Sequence, residues 1–302
     1  MLVRLKYGLL LILISNLAFS QSKLNSFLKP SDSLNTSRRN AVVISETSLA
    51  GLTLIGLNQL WYADYEKSQF HTINDNNEWL QMDKFGHVFS SYQLGRVGAD
   101  VLNWSGVSKK DQLIYGATLG FAFLTTVEIF DGFSKEWGFS WGDILANGTG
   151  TGLYIGQELL WNEQRIALKF SFHQTRYALQ SPDKLGQNFT EQLLKDYNGQ
   201  TYWLSANLHA FFKQSKIPKW LNIAFGYGAD GMLSGTKDID NQLLTNYDRH
   251  RQFYLSFDVN LNNIKTESHI LKSVFSVFNV IKVPFPALEF SKNRCVFHLF
   301  YY

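Results

Sequence analysis

Carboxylates set between apolar helices constrain this chain more than any other feature. The stretch Glu128–Gly150 reads EIFDGFSKEWGFSWGDILANGTG, and apolar, helix-like sequence flanks it on both sides. It carries Glu128, Asp131 and Asp143. Removing a carboxylate from water costs free energy unless the group is paired, hydrogen-bonded or bound to a cation. Any fold of this chain must therefore bring partners to these acids.

Partners stand one helix upstream. The pattern predicts helices over 41–62, 82–102, 111–130 and 141–161. In the second of these, Asp83, His87 and Ser91 recur every four residues and so share one face, with Lys84 beside them. In the fourth, Asn147 follows Asp143 at the same spacing. Carboxylates with one imidazole can bind a divalent cation, whose water would be a nucleophile. Alternatively, His87 can act as a general base oriented by Asp83 or Glu128. The candidate catalytic residues are thus His87, Asp83, Glu128 and Asp131. Lys84, Ser140, Asp143 and Asn147 complete the polar centre.

The same residues also have a purely structural account. Ser140 and Asp143 suit the N-cap and N3 positions of a helix, where acid is favoured by the helix dipole. Asp83 suits an N-cap too, and Lys84 a pairing with Glu128 or Asp131. A closed salt-bridged network fixing the bundle is the preferred reading, with a divalent metal possible but not favoured and no other cofactor indicated. No G-x-S-x-G, H-E-x-x-H or P-loop pattern is present. Gly98, Gly116 and Gly120 fall inside helices, where close packing accounts for them better than phosphate binding.

After Asn162 the period changes from helical to two. Strands are expected at 166–172, 202–212, 221–227, 253–261, 287–290 and 295–302, with a turn at 291–294 and helices near 190–197 and 269–281. The fold class is α+β: a bundle of about four helices, then an antiparallel region of about six strands. In the alternative, the strands form a partial or small membrane-embedded barrel, because the chain ends on an alternating aromatic strand. Six strands fall short of the eight of the smallest single-chain barrels. The division expected is a signal peptide over 1–20, a flexible tail over 21–40, a helical domain over 41–162 and a β-rich region over 163–302.

Arg4 and Lys6, a short apolar run, and Ala18-Phe19-Ser20 make the signal peptide, so the chain is exported to the periplasm or outer membrane. The single Cys, Cys295, allows neither an internal disulfide nor a multi-Cys metal site, and no Cys follows the signal to carry a lipid. A net charge of +3 does not argue for nucleic acid. A mean hydropathy of −0.14 is too polar for a polytopic helical membrane protein.

Asp83-Lys84-Phe85-Gly86-His87, then Glu128-Ile-Phe-Asp131-Gly132-Phe133-Ser134 and Trp137-Gly138-Phe139-Ser140-Trp141-Gly142-Asp143-Ile-Leu-Ala146-Asn147, resembles the YfiM-like family of predicted periplasmic lipoproteins over about residues 40–160. The D-K-x-x-H start alone is similar to VanZ-like membrane proteins. The resemblance implies the cell envelope and a domain of unknown function, and it carries over no catalytic residue. The function expected is a structural or interaction role at the periplasmic face of, or within, the outer membrane, with lipid or another envelope protein as partner. The alternatives are an envelope hydrolase or lipid-modifying enzyme using the His/carboxylate centre, and a lipid or small-molecule binder.

Overall fold

The second predicted helix is the axis on which the helical bundle packs. In the computed structural model, which describes residues 22–62, 65–242 and 247–301, this helix, α2, spans Met82–Trp104. Helix α1 spans Thr36–Leu57, α3 Leu119–Asp131 and α4 Trp141–Trp161. The expected signal peptide and Tyr302 lie outside the described residues. Helix α3 is not one continuous helix from 111. A turn at Lys109–Asp111, capped by Ser108, passes through a π-helical turn at Gln112–Gly116 before α3 begins.

Glycine sets how closely the bundle closes. A methyl group at Gly120 would fall 2.2 Å from the carbonyl oxygen of Ser91, and one at Gly98 would fall 2.6 Å from that of Gly116. A methyl at Gly150 of α4 would fall 2.1 Å from the carbonyl oxygen of Val88. Backbone therefore meets backbone on two sides of α2, as small residues permit. Helix α1 does not share this. Its Gly51 and Gly56 meet nothing within 4 Å. The expected tail is also held. The Asn25 side chain accepts the backbone N–H groups of His269 and Ile270 (2.6 and 3.2 Å), and Arg38 stacks over Trp104.

The C-terminal half forms six strands: β1 Ile166–Phe172, β2 Gln200–Asn207, β3 Leu221–Asp230, β4 His250–Val259, β5 Phe285–Ser291 and β6 Arg294–Tyr301. They pair antiparallel in that order. β1 and β6 are not paired with each other, so the sheet is open and not a closed barrel. The outer edge of β1 is covered instead by Val280 and Lys282, whose backbones bond to Phe170. Strand β2 stops five residues before its predicted end. Asn207 accepts the N–H of Ala210 and caps a short helix, Leu208–Phe211, which is what an Asn in that place favours. A further helix, α5 His269–Phe278, precedes β5. The β5–β6 turn places Lys292 and Asn293 at positive φ (48° and 60°), the two left-handed residues of a tight hairpin.

One face of this sheet is apolar, and the other, which is the buried one, sets polar residues around an aromatic cluster of Trp203, Tyr254 and Tyr301. Lys169 of β1 and Asp258 of β4 are both fully buried and 2.8 Å apart. Asp258 also accepts from Ser205 (2.6 Å), Ser205 from Asn222 (2.8 Å), and Asn222 from Asn207 (2.7 Å). The opposite face carries a register row of Leu168, Leu204, Phe225, Leu255, Leu288 and Phe297. Helix α2 covers its β1–β3 end. Phe85 stacks on Tyr227 at 4.3 Å, and Phe89 lies against Phe170 and Tyr202. Beyond that cover, Phe225, Phe253, Phe257, Phe290 and Phe297 are exposed.

Two substitutions test this packing by denaturant titration followed through tryptophan fluorescence. Gly120→Ala overpacks a backbone contact and should destabilise the fold by about 1–3 kcal/mol. Asp258→Asn leaves Lys169 buried without its counter-charge and should cost about 3–5 kcal/mol, more than the double replacement Lys169→Met/Asp258→Leu.

Candidate functional site

The polar centre forms where the start of α2, the end of α3 and the start of α4 meet. Its geometry begins with a backbone constraint. Trp79, Leu80 and Gln81 take positive φ (46°, 52°, 65°), which bulky residues adopt only when surroundings impose it. The turn is held by the N–H of Trp79 donating to Gly235 (2.8 Å) and by the Tyr227 hydroxyl donating to the carbonyl of Leu80. Helix α2 therefore starts with Asp83 in its first turn and not as its N-cap, where the sequence pattern allowed it. On the other side, Phe139–Ser140 pairs parallel with Thr72–Ile73. That pairing brings Asp75 to the start of α4.

Lys84 is the hub. Its ammonium donates to Asp75 (2.6 Å), Asp83 (3.0 Å) and Asp143 (2.8 Å). It does not pair with Glu128 or Asp131, as spacing had suggested. The reason is local: Lys84 points past α2 toward the α4 N-terminus, while Glu128 Oε2 is taken by the backbone N–H of Ser140 (3.2 Å) and Asp131 by the Tyr62 hydroxyl (2.6 Å). Ser140 does cap α4, its hydroxyl accepting from Asp143 N–H (3.2 Å) and donating to Asp75 (2.7 Å).

His87 lies inside this ring. Its Nδ1 hydrogen-bonds Asn147 Oδ1 at 3.0 Å, so Asn147 orients the imidazole, and neither Asp83 nor Glu128 does. Its Nε2 faces three carboxylate oxygens, Glu128 Oε1 at 3.6 Å, Asp143 Oδ1 at 3.7 Å and Asp83 Oδ1 at 3.9 Å. None is within hydrogen-bonding distance. Asp143 is 3% exposed, and the Lys84 ammonium lies 2.8 Å from both of its oxygens, bridging the carboxylate. The Asn147 Nδ2 is buried without an acceptor.

The electrostatics follow from burial and charge. Burial pushes the Asp83 carboxyl up, but His87, Lys84 and the Tyr197 hydroxyl outweigh it and hold it at about 2. Burial and the charge of Asp83 push Asp143 up to about 7 against His87 and Lys84. Burial lowers the Lys84 and His87 pKa values, yet the surrounding carboxylates raise both above their ordinary ranges.

A cavity of about 310 Å³ opens onto Asp83 and His87, walled by Phe89, Leu124, Phe170, Leu193, Leu194 and Tyr202. The structure thus brings together Asp83, Lys84, His87, Glu128, Ser140, Asp143 and Asn147. Asp131 stays apart on Tyr62. Asp83, His87 and Asp143 each offer one potential ligand atom, all within 4.8 Å of one another. Sequence reading did not find Asp75, Tyr62 or Tyr197. Asp75 lies in a polar connection with no periodicity. Tyr197, which donates to Asp83 at 2.8 Å, comes from the β-rich half, 114 residues away.

Residues 72–156 match the model of a family described as predicted periplasmic lipoprotein (DUF2279). That segment holds the polar centre from Asp75 to Asn147 but neither Tyr62 nor Tyr197. No curated protein and no solved structure matches the chain. The family description agrees with an exported protein of the periplasm or outer membrane.

Two substitutions separate the hub from its rim. Lys84→Met strands three buried or half-buried carboxylates and should lower stability by about 3–5 kcal/mol. Tyr62→Phe removes one hydrogen bond to a charged group and should cost about 1.5–3 kcal/mol. Equal effects of the two in thermal unfolding would show that Lys84 is not the hub.

Proposed function

We propose that the protein is a non-enzymatic component of the outer membrane that sets its apolar exterior against lipid acyl chains. The sheet carries this reading. Its Lys, Asp, Asn and Ser residues turn inward, while Phe225, Phe253, Phe257 and Phe297 turn out, 49–62% exposed. Water would favour the reverse arrangement, because each exposed ring leaves apolar area wetted. Alternation of apolar-out and polar-in is the pattern of lipid-exposed β-structure.

The helices support the same reading. Ile44, Leu49, Leu52 and Ile55 of α1 are each more than 60% exposed. The segments Thr36–Leu57 and Lys109–Asp131 are long and apolar enough, by length and composition, to cross a bilayer. The polar centre then has a structural task. It ties the start of α2 to the end of α3 and the start of α4, and through Tyr197 to the sheet half, in surroundings where loose charge is costly. The finer YfiM-like likeness of residues 83–147, the cleaved signal peptide, the division at residue 162 and the outer membrane as destination belong to this proposal.

Membrane preparations test it. After carbonate extraction the protein should stay with the membranes and float with lipid on a density gradient. Phe257→Lys should destabilise the lipid-associated form by about 2–4 kcal/mol, the cost of a cation among acyl chains. An exposed substitution in water would stay within about 0.5 kcal/mol. Release by carbonate, or a silent Phe257→Lys, would rule the reading out.

A further inference from the structure

We infer that β6 is a pairing edge for a second copy of this chain. Two β6 strands lie antiparallel about a two-fold axis and join the two sheets into one. The inference comes from a difference between the two edges of the sheet. The β1 edge is satisfied residue by residue. Gln157 Oε1 accepts the backbone N–H of Ile166 (2.8 Å), and the Ile166 carbonyl accepts from Gln157 Nε2 (2.9 Å) and the Tyr92 hydroxyl (3.2 Å). Gln93 Nε2 donates to the carbonyl of Leu168 (2.5 Å). Phe170 donates to the carbonyl of Val280 and accepts from the N–H of Lys282, both at 2.9 Å.

The β6 edge has no such cover. It pairs with β5 alone, and among the described residues no other backbone bonds to it. Its direction follows from the hairpin. Ser291 and Arg294 are partners across the two-residue turn, so they bond to each other, and the N–H and C=O groups of Cys295 and Phe297 point away from β5. Phe297, Leu299 and Phe300 are 62–70% exposed. Proteins blunt a free edge with Lys, Pro or a covering element, yet Cys295–Tyr301 contains neither residue. Among acyl chains the demand is stricter, because no water is there to bond the free groups. In that respect the inference rests on the lipid reading of the sheet.

The occupant follows from what each edge offers. A second copy cannot dock its β6 on β1, whose groups at Ile166, Leu168 and Phe170 are already used, so head-to-tail growth of the sheet is blocked. Against itself β6 is complementary. With Phe297 on the axis, Phe297 faces its equivalent, Cys295 faces Leu299 of the second copy, and Arg294 faces Phe300. No like charges then stand opposite each other, and each guanidinium meets an aromatic ring.

Cross-linking of the full chain in phosphatidylethanolamine–phosphatidylglycerol vesicles tests the pairing. With Cys295→Ser as background, Phe297→Cys puts two thiols on the axis, where Cα atoms about 5.5 Å apart suit a disulfide. Mild oxidation should link this variant into dimers. Phe253→Cys, equally exposed but on β4 inside the sheet, should stay single. The mass of the unmodified protein in detergent should be that of two copies. Phe297→Pro, which removes an N–H that β5 does not use, should halve it while leaving the circular dichroism unchanged. If Phe297→Pro fails to fold, the contrast between positions 297 and 253 decides. A single-copy mass, equal cross-linking at both positions, or a link from position 297 to a different protein in cell membranes would overturn the pairing. Flotation is read on the same vesicles. Floating single copies overturn the dimer alone, whereas a protein that does not float overturns the lipid reading and the dimer together.

Discussion

Buried charge has to be answered by a partner, and the rest of this structure depends on where those partners are found. Two lysines meet the requirement in two places. Lys84 gathers Asp75, Asp83 and Asp143 at the helix junction. Lys169 pairs with Asp258 in the interior of the sheet. A charge taken out of water without compensation costs several kcal/mol, so neither half holds together if its lysine is unpaired. The two centres are joined by α2, which carries Lys84 on one side and lays Phe85 and Phe89 on the sheet with the other.

In the sheet, a network of polar groups is buried beside an aromatic cluster while large apolar side chains are exposed. Hydrogen-bonded polar groups run from Lys169 to Asn207 inside the sheet, while rings project outward from β3 to β6. In the bundle, glycines bring backbones into contact, the close approach that small residues permit in water or in lipid. The proposed lipid exterior would give both halves one cause, and would give the dense charge at the junction a reason.

Much of this was legible in the residues, for identifiable reasons. The period change near Asn162 placed the shift from helices to strands, because the 3.6 and 2.0 periods differ enough to be seen in short windows. The i, i+4 spacing of Asp83 and His87 and that of Asp143 and Asn147 put the polar centre on facing helices. The capping role of Ser140 followed from its offset to Asp143. What stayed hidden depended on tertiary position. Lys84 was matched to Glu128 or Asp131, and its true set included Asp75, from a connection with no pattern. His87 was oriented by Asn147 and not by a carboxylate, since the α4 turn brings the amide nearer to Nδ1. The early end of β2 at Asn207 was a competition between strand pattern and cap that local spacing did not decide. Alternation along β4 showed that Phe257 and Asp258 lie on opposite faces, but not that the Asp258 face would be the buried one.

The claim that the ring-bearing face of the sheet meets lipid is tested most directly by spin labels along β4. With Cys295 replaced by Ser, single cysteines at positions 253, 255 and 257 are labelled and the protein is reconstituted into vesicles. The account predicts that each label relaxes more with oxygen, which partitions into acyl chains, than with a water-soluble nickel complex. Stronger relaxation by nickel at all three positions would contradict it.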